Sequence, residues 1–290
     1  MDVLQTAILG ILLGGVYALM ATGLTLLYGV MRVINLAHAA FMIVGAYIAF
    51  VLFRDFGIDP LISMAVTGPA LFVVGVLLYQ LLFKRIADNP RFTEMTVLLT
   101  FGIALAIEGI LGSIFSNIYH STEPPYATGT IELGSIFIPT GQLYGFAVSL
   151  VLLAALWAFL YYTRPGYAIR ATMQDRAAAQ IVGVNVDRIS ALAFGIGVGL
   201  AGVAGSLLSY LFTFFPGSHL QWIGLLLALI VVGGLGSLAG ALVGAVGLSL
   251  IAAFAIDQLG PEWSYLTFYV LLFVILLVRP RGLFGKPETI

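Results

Sequence analysis

One acidic side chain lies in the middle of an otherwise apolar stretch of the sequence. Glu108 interrupts residues 95–118, which hold no other charged side chain. An ionised group at such a position is costly inside a bilayer, and it usually faces the protein interior or water. Glu108 is therefore a candidate for a translocation path. An equal alternative is a protonated or hydrogen-bonded acid that joins two helices.

Arg32, Asn35 and His38 form a polar interruption near the start of the chain. The apolar runs 3–31 and 33–53 flank Arg32, and the two other side chains follow shortly after it. This spacing predicts a tight polar turn close to the inner membrane surface. Asn35 and His38 can cap a helix or form hydrogen bonds between helices, and alternatively they can contact a transported substrate.

A glycine-rich break interrupts the long charge-free stretch 189–256. Gly233, Gly234, Gly236 and Ser237 fall close together inside it. Irregular backbone at that depth is tolerated where it is packed in protein or lines a cavity. Since paired interrupted helices are typical of translocation paths in transporters, we predict that this break and the turn at Arg32 flank such a path.

The sequence offers no constellation for covalent or metal chemistry. It has no cysteine, no HExxH or GxSxG pattern and no paired carboxylates at ligand spacing. His120 and His219 fall in predicted outer loops, where nothing suggests a metal. We expect a chain that is not an enzyme and that binds no metal or cofactor itself.

Composition places the chain in a membrane. Of its 290 residues, 61% are hydrophobic and 9% are charged, against roughly 45–50% and about 25% in soluble domains. The mean hydropathy of +1.10 and the lengths of the apolar runs predict a single all-α, polytopic membrane domain over 1–290. We expect about eight transmembrane helices plus interrupted half-helices. A net charge of −1 argues against a nucleic-acid partner.

Lys and Arg residues set the expected orientation. They concentrate at 84–91, 164–188 and 279–286, whereas the segments 119–140 and 257–262 carry acids alone. The basic segments should face the cytoplasm, with the N-terminus outside and the C-terminus cytoplasmic. Residues 222–256 must then enter and return, and their length predicts two short helices that meet at the glycine break.

The longest predicted cytoplasmic segment is 163–190. Apolar residues recur there every four positions, which predicts one amphipathic helix over 167–182 that ends at Gly183. The helix can lie on lipid, or it can dock a soluble partner. No GxxxxGK[ST] phosphate loop occurs in the chain, so another chain must supply ATP hydrolysis if ATP drives transport. The polar side of this segment carries Arg170, Gln174, Asp175, Arg176 and Gln180.

Ordered motifs that run nearly end to end carry a resemblance to a known family. They occupy 14–19, 23–38, 45–47, 170–171, 174–176, 179, 183–188, 200–202, 233–237, 240–241 and 279–285. On these residues the chain resembles the permease subunits of bacterial and archaeal ABC importers for branched-chain amino acids.

The resemblance implies an importer in the cell inner membrane with several partners. These are a second, related permease chain, two ATPase subunits that bind ATP and Mg, and a periplasmic substrate-binding protein. It also implies that the long cytoplasmic helix couples to the ATPase. Interrupted segments near 29–38 and 233–240 would open or close the path in alternating access.

Two departures from the family pattern bear on the substrate. Ala39 and Ala40 follow His38 where many members have Gly and an acid, and Leu225–Leu227 stand where several members have a lysine. Related permeases serve urea, short amides and aromatic acids, and these remain alternatives. A different class of function is an ion-coupled carrier or channel for small neutral solutes, and a third is a non-transporting membrane scaffold.

Overall fold

Apolar helices joined by short polar turns account for most of the chain. The computed structural model describes residues 2–87, 89–280 and 282–285, with nothing taken from the side chains of 264 and 265. The elements in chain order are α1 (Val3–Met31), α2 (His38–Phe56), α3 (Pro60–Ile86, with a π-helical turn at Tyr79–Phe83), α4 (Phe92–Phe115), β1 (Thr130–Leu133), β2 (Ile136–Pro139), α5 (Thr140–Tyr162), α6 (Arg164–Gln174), α7 (Arg176–Ile181), α8 (Val186–Leu211), a 3₁₀ turn at Pro216–Ser218, α9 (His219–Gly233), α10 (Leu238–Leu259) and α11 (Trp263–Val278).

The helices confirm the predicted polytopic membrane fold. In the described part of the chain, eight helical segments are long and apolar enough to cross a bilayer, and the apolar part of α11 is a shorter ninth at Leu266–Val278. Apolar side chains surround these helices on all sides. This is expected where one side of a helix faces lipid and the other packs in protein.

Helices α1 and α8 occupy the centre of the bundle. Small residues in α1 and α8 allow the backbones of neighbouring helices to approach these two helices closely. A Cβ at Gly45 of α2 would overlap the backbone of Gly202, and a Cβ at Gly205 would overlap the carbonyl oxygen of Met42. The glycines of α8 therefore serve packing inside this chain.

The bundle has two ends, which we name by their contents. The hairpin end holds β1 and β2, the start of α1 and the turn before α9. Gln5 fixes the hairpin there, because its side chain donates to the Phe137 carbonyl at 2.6 Å and accepts from the Phe137 amide at 2.8 Å. The α6 end holds α6, α7, the turn after α1 and the break between α9 and α10.

Basic side chains mark the α6 end. Among the described residues, every Lys and Arg except Arg54 lies in or beside the turns of that end. The predicted inner residues Arg281 and Lys286 lie outside the described residues. By the positive-inside rule this asymmetry favours a cytoplasmic α6 end.

Two local predictions were wrong. Residues 222–256 form two helices that meet at the glycine break as predicted, but only α9, with 15 residues, is short. Helix α10 has 22 residues and runs past Asp257, because a charge in the last turn reaches the membrane surface without ending the helix. The segment 167–182 is not one helix, since Asp175 is extended (φ −152°, ψ 113°) and separates α6 from α7. The hairpin at 130–139 was not predicted.

Candidate translocation and coupling sites

The turn after α1 is built from Arg32 and Asn35. Arg32 adopts a left-handed conformation (φ 57°), and its amide donates to the Tyr28 carbonyl at 2.8 Å, which ends α1. Asn35 is buried, and its Oδ1 accepts from the Ala37 amide at 3.1 Å just before α2. This contact is a local turn before α2 and not a helix cap, because Ala37, the N-cap residue of α2, has no side-chain cap hydrogen bond. The Nδ2 atom of Asn35 has no partner among the described residues.

His38 joins α2 to α1. Its ring is fully buried, and Nε2 lies 3.0 Å from the Met20 carbonyl oxygen, to which it can donate as the Nε2–H tautomer. Gly23 makes room for the ring, because a Cβ there would lie 2.8 Å from His38 Cε1. The interhelical hydrogen bond that we considered for His38 is present.

The glycine break between α9 and α10 lies where the sequence predicts it. Gly234 (φ 103°) and Gly236 (φ 77°) adopt conformations that side chains disfavour. Ser237 caps α10, since its Oγ accepts from the Gly240 amide at 3.0 Å. Across the break, a Cβ on Gly233 would overlap the Gly240 carbonyl. The break is therefore a tightly packed turn.

Leu283 and Phe284 cover this break. The amide of Leu283 donates to the Val232 carbonyl at 2.8 Å, and that of Phe284 donates to the Gly233 carbonyl at 3.1 Å. These contacts satisfy carbonyl groups that the last turn of α9 leaves without helical partners. Sequence reasoning gave the tail no such role, because it pairs with residues about fifty positions earlier.

The two interrupted segments meet at Gly29. A Cβ on Gly236 would lie 3.3 Å from Gly29 Cα, and a Cβ on Gly29 would overlap Met173 Cε. Gly29 is in the last turn of α1, and Met173 is in α6. The α6 helix thus contacts the end of α1, which in turn contacts the break.

Glu108 lies apart from this group, toward the hairpin end. Its Oε2 is 2.9 Å from Nε2 of His219, the first residue of α9. The His219 side chain is 1% exposed, and that of Glu108 is 33% exposed. Glu108 is seven residues before the end of α4 rather than near the middle of its span. The structure therefore does not bring Glu108 together with the break.

The predicted coupling residues differ in accessibility. Arg170 turns back toward α5, where Nε donates to the Leu160 carbonyl at 3.0 Å and the guanidinium lies 4.1 Å from the Tyr161 ring centre. Gln174, Asp175 and Gly183 are exposed, whereas Arg176 is half-buried. Arg170 thus fixes α6 to the bundle, while the others lie on or near the free surface.

An exposed apolar surface adjoins these polar groups. Ile181 and Val182, at the end of α7, are 86% and 77% exposed. Gly183 then reverses the chain with a left-handed conformation (φ 89°). Together with the exposed Gln174 and Asp175, these aliphatic side chains give the α6 end a surface that is partly apolar and partly polar.

A bundle of apolar helices long enough to cross a bilayer is the architecture of an integral membrane protein. The chain matches, over residues 6–276, the family described as branched-chain amino acid transport system / permease component, and it belongs to this family.

Curated relatives cover nearly the whole chain. It is 31% identical to the high-affinity branched-chain amino acid transport system permease protein LivH of Escherichia coli (strain K12), over 99% of this chain and 96% of that protein. It is 31% identical to the corresponding protein BraD of Pseudomonas aeruginosa, over 99% and 97%. It is 32% identical to a probable LivH permease of Methanocaldococcus jannaschii, over 95% and 90%.

Proposed function

We propose that this chain is the membrane-spanning permease subunit of an ATP-driven importer in the cell inner membrane. It moves branched-chain or other hydrophobic amino acids from an external binding protein into the cytoplasm. Family membership over residues 6–276 carries this proposal. Substrate names of the relatives support amino acids over urea, short amides and aromatic acids.

The partners follow from what the chain lacks and what it exposes. Two ATPase subunits supply ATP hydrolysis with Mg, since this sequence has no phosphate-binding loop. They dock at α6 and α7, where Gln174, Asp175, Ile181 and Val182 are exposed. A second, related permease chain and a periplasmic binding protein complete the importer.

The mechanism that we propose is alternating access driven from α6. Closure of the ATPase subunits moves α6, and Met173 transmits that movement to Gly29 because the two residues are in contact. Gly236 rests on the same residue, so movement of α1 displaces the glycine break. The segment that adjoins α1 moves with it. This segment holds Arg32, Asn35 and His38, which together with Gly233, Gly234 and Ser237 border the inner opening of the path.

Transport in vesicles with and without the ATPase partners tests the proposal. We expect leucine uptake that requires ATP, both ATPase subunits and the binding protein. Uptake that persists without the ATPase and follows a proton gradient would establish the ion-coupled carrier instead. For that carrier Glu108 is the candidate proton-binding group, because its half-buried carboxylate contacts the buried ring of His219 in the membrane region.

A further inference from the structure

A cavity of about 320 Å³ opens near the hairpin end among α1, α5, α10 and α11. Its volume is at the lower end of the range for small-molecule sites, about 300–1,000 Å³. Thr6, Gln142 and Asp257 line its outer part, and Tyr17 and Phe268 line its inner part. Aliphatic side chains form the walls between them: Leu9, Leu13, Ala252, Ala253 and Ile256.

The outer part of the cavity offers polar groups that suit a zwitterion. Gln142 Oε1 is buried and has no hydrogen-bond partner among the described residues, and such a group is costly unless a donor reaches it. The Asp257 carboxylate adds negative charge beside it, although it also accepts from Gln258 Nε2 at 3.2 Å. An ammonium group would supply the donor that Gln142 Oε1 lacks. The Thr6 hydroxyl, which lies 3.4 Å from the Asp2 carbonyl oxygen, is in the same part of the lining and can turn to donate to a carboxylate.

Aromatic rings close the inner part of the cavity. Tyr17 packs on Phe212, Trp222 and Phe268 with ring centres 6.1, 6.2 and 6.1 Å apart. Phe212 and Trp222 also line a second cavity of about 260 Å³. The Tyr17 ring therefore separates the two spaces, and a ligand in the first cavity cannot pass it without a side-chain movement.

We infer that this cavity is a transient binding site for the transported amino acid. The ammonium group of the amino acid lies at Asp257 and Gln142, and the aliphatic side chain of the amino acid lies between Leu13 and Ala252. The inference rests on the proposed function and adds a location and a basis for side-chain preference. Glycine lacks the apolar body that the walls would contact, and an acidic amino acid would face Asp257 with a second negative charge.

Cysteine protection in the full importer complex tests the site, because this chain has no cysteine of its own. Ala253→Cys places a thiol in the lining, and Ala255→Cys on the same helix is a half-buried control outside it. Each complex is treated with N-ethylmaleimide in vesicles without ATP, with leucine, glycine or glutamate present or absent. Labelling of this chain is then followed by mass.

We expect leucine at ten times its dissociation constant to slow labelling of Ala253→Cys about tenfold, with little effect of glycine or glutamate. Labelling of Ala255→Cys should not change. Adding Asp257→Asn should raise the leucine concentration for half-protection about tenfold, because the Asn amide oxygen can still accept from the ammonium group but no longer carries the negative charge that strengthens the bond.

Three results would overturn the inference while leaving the proposed function intact, provided that the unsubstituted complex imports leucine in the same vesicles. The first is labelling of Ala253→Cys that leucine does not slow. The second is equal protection of Ala255→Cys, which indicates a general conformational change. The third is slower labelling of Ala253→Cys when phospholipid is added, without leucine, to the complex in detergent, which makes the cavity a lipid site. Failure of the unsubstituted complex to import any hydrophobic amino acid would instead refute the proposed function.

Discussion

Glu108 and His219 form a pair across two helices, with Oε2 and Nε2 2.9 Å apart. The contact joins α4 to the first residue of α9 and holds the start of α9 in place. His219 is almost completely buried, so the loss of its partner leaves a polar ring without a hydrogen bond. This geometry favours the interpretation of Glu108 as an acid that ties two helices together.

Substitution of Glu108 separates its structural role from a role in transport. Glu108→Gln keeps an acceptor for His219, and we expect near-normal thermal stability and leucine uptake. Glu108→Ala should lower the free energy of unfolding by about 1–3 kcal/mol, because buried His219 loses its partner. Thermal unfolding in detergent and uptake in vesicles measure the two effects. A folded Glu108→Gln protein that does not transport would place the carboxylate in the mechanism.

A substitution at Gly29 can disrupt the contacts through which α6 reaches the glycine break. A side chain there displaces Met173, so Gly29→Val should cost about 1–3 kcal/mol in local packing and lower ATP-driven uptake. Gly247→Val is the control, because a Cβ at Gly247 meets nothing within 4 Å. The ratio of leucine imported to ATP hydrolysed is the measurement. Equal ratios in the two variants would exclude Gly29 from coupling.

Asp175 stabilises α7 through two hydrogen bonds to backbone amides. Its Oδ1 accepts from Ala177 N at 2.8 Å and Ala178 N at 2.9 Å. Asp175→Ala should destabilise α7 by about 0.5–2 kcal/mol and lower substrate-stimulated ATP hydrolysis, whereas Asp175→Asn should largely restore both. Arg176→Ala should also lower the stimulation. Unchanged stimulation in the alanine variants would remove these side chains from ATPase docking.

Tyr17 is expected to block passage between the two cavities near the hairpin end. Tyr17→Ala removes the ring that lies between them, so leucine in the first cavity should reach the second and slow N-ethylmaleimide labelling of a Gln221→Cys thiol in its lining. Tyr17→Phe keeps the ring and serves as the control. The labelling rate with and without leucine is the measurement. Protection that is equal in both variants, or absent in both, would show that the ring is not the barrier.

Tyr126 links the loop before the hairpin to the start of α3. Its hydroxyl donates to Asp59 Oδ1 at 2.8 Å, and burial together with this contact raises the pKa of Tyr126 well above its usual range. Because the folded pKa is raised, this stabilisation is fully present below the unfolded pKa of about 10 and is lost as pH rises further.

We therefore expect Tyr126→Phe to lower the free energy of unfolding by about 1.5–3 kcal/mol, the value for a hydrogen bond to a charged group. The difference from the unsubstituted protein should be equal at pH 7 and pH 9 and should shrink above pH 10. Thermal unfolding at the three pH values measures it. A difference that already falls between pH 7 and pH 9 would contradict a raised pKa.

Local composition was sufficient to predict most of the membrane-spanning helices and the glycine break. Gly233, Gly234 and Gly236 stand in a long apolar run, and glycines this close together favour an interruption of the helix there. Asp175 shows where periodicity misled the prediction. Apolar residues recur every four positions on both sides of it, although an Asp followed by Arg176 and three alanines is also a helix-start signal. Gly134 and Ser135 between short β-prone runs likewise indicate a hairpin.

The contacts across the bundle could not be read from the sequence. His219 is 111 positions from Glu108, and nothing in either local segment indicates the pairing. The cavity is similar, since four helices contribute its lining and their relative rotation decides which side chains face it. Small residues such as Gly29 have no chemical signature of their own. Their importance arises from the residues that come into contact with them.

The pairing of Leu283 and Phe284 with the last turn of α9 also has a consequence for labelling. Their amides donate to the carbonyls of Val232 and Gly233, so a tag or fluorophore inserted just before Leu283 would pull these residues away from the glycine break. A label attached to the exposed side chain at position 181 would instead report on the α6 end and leave the break covered.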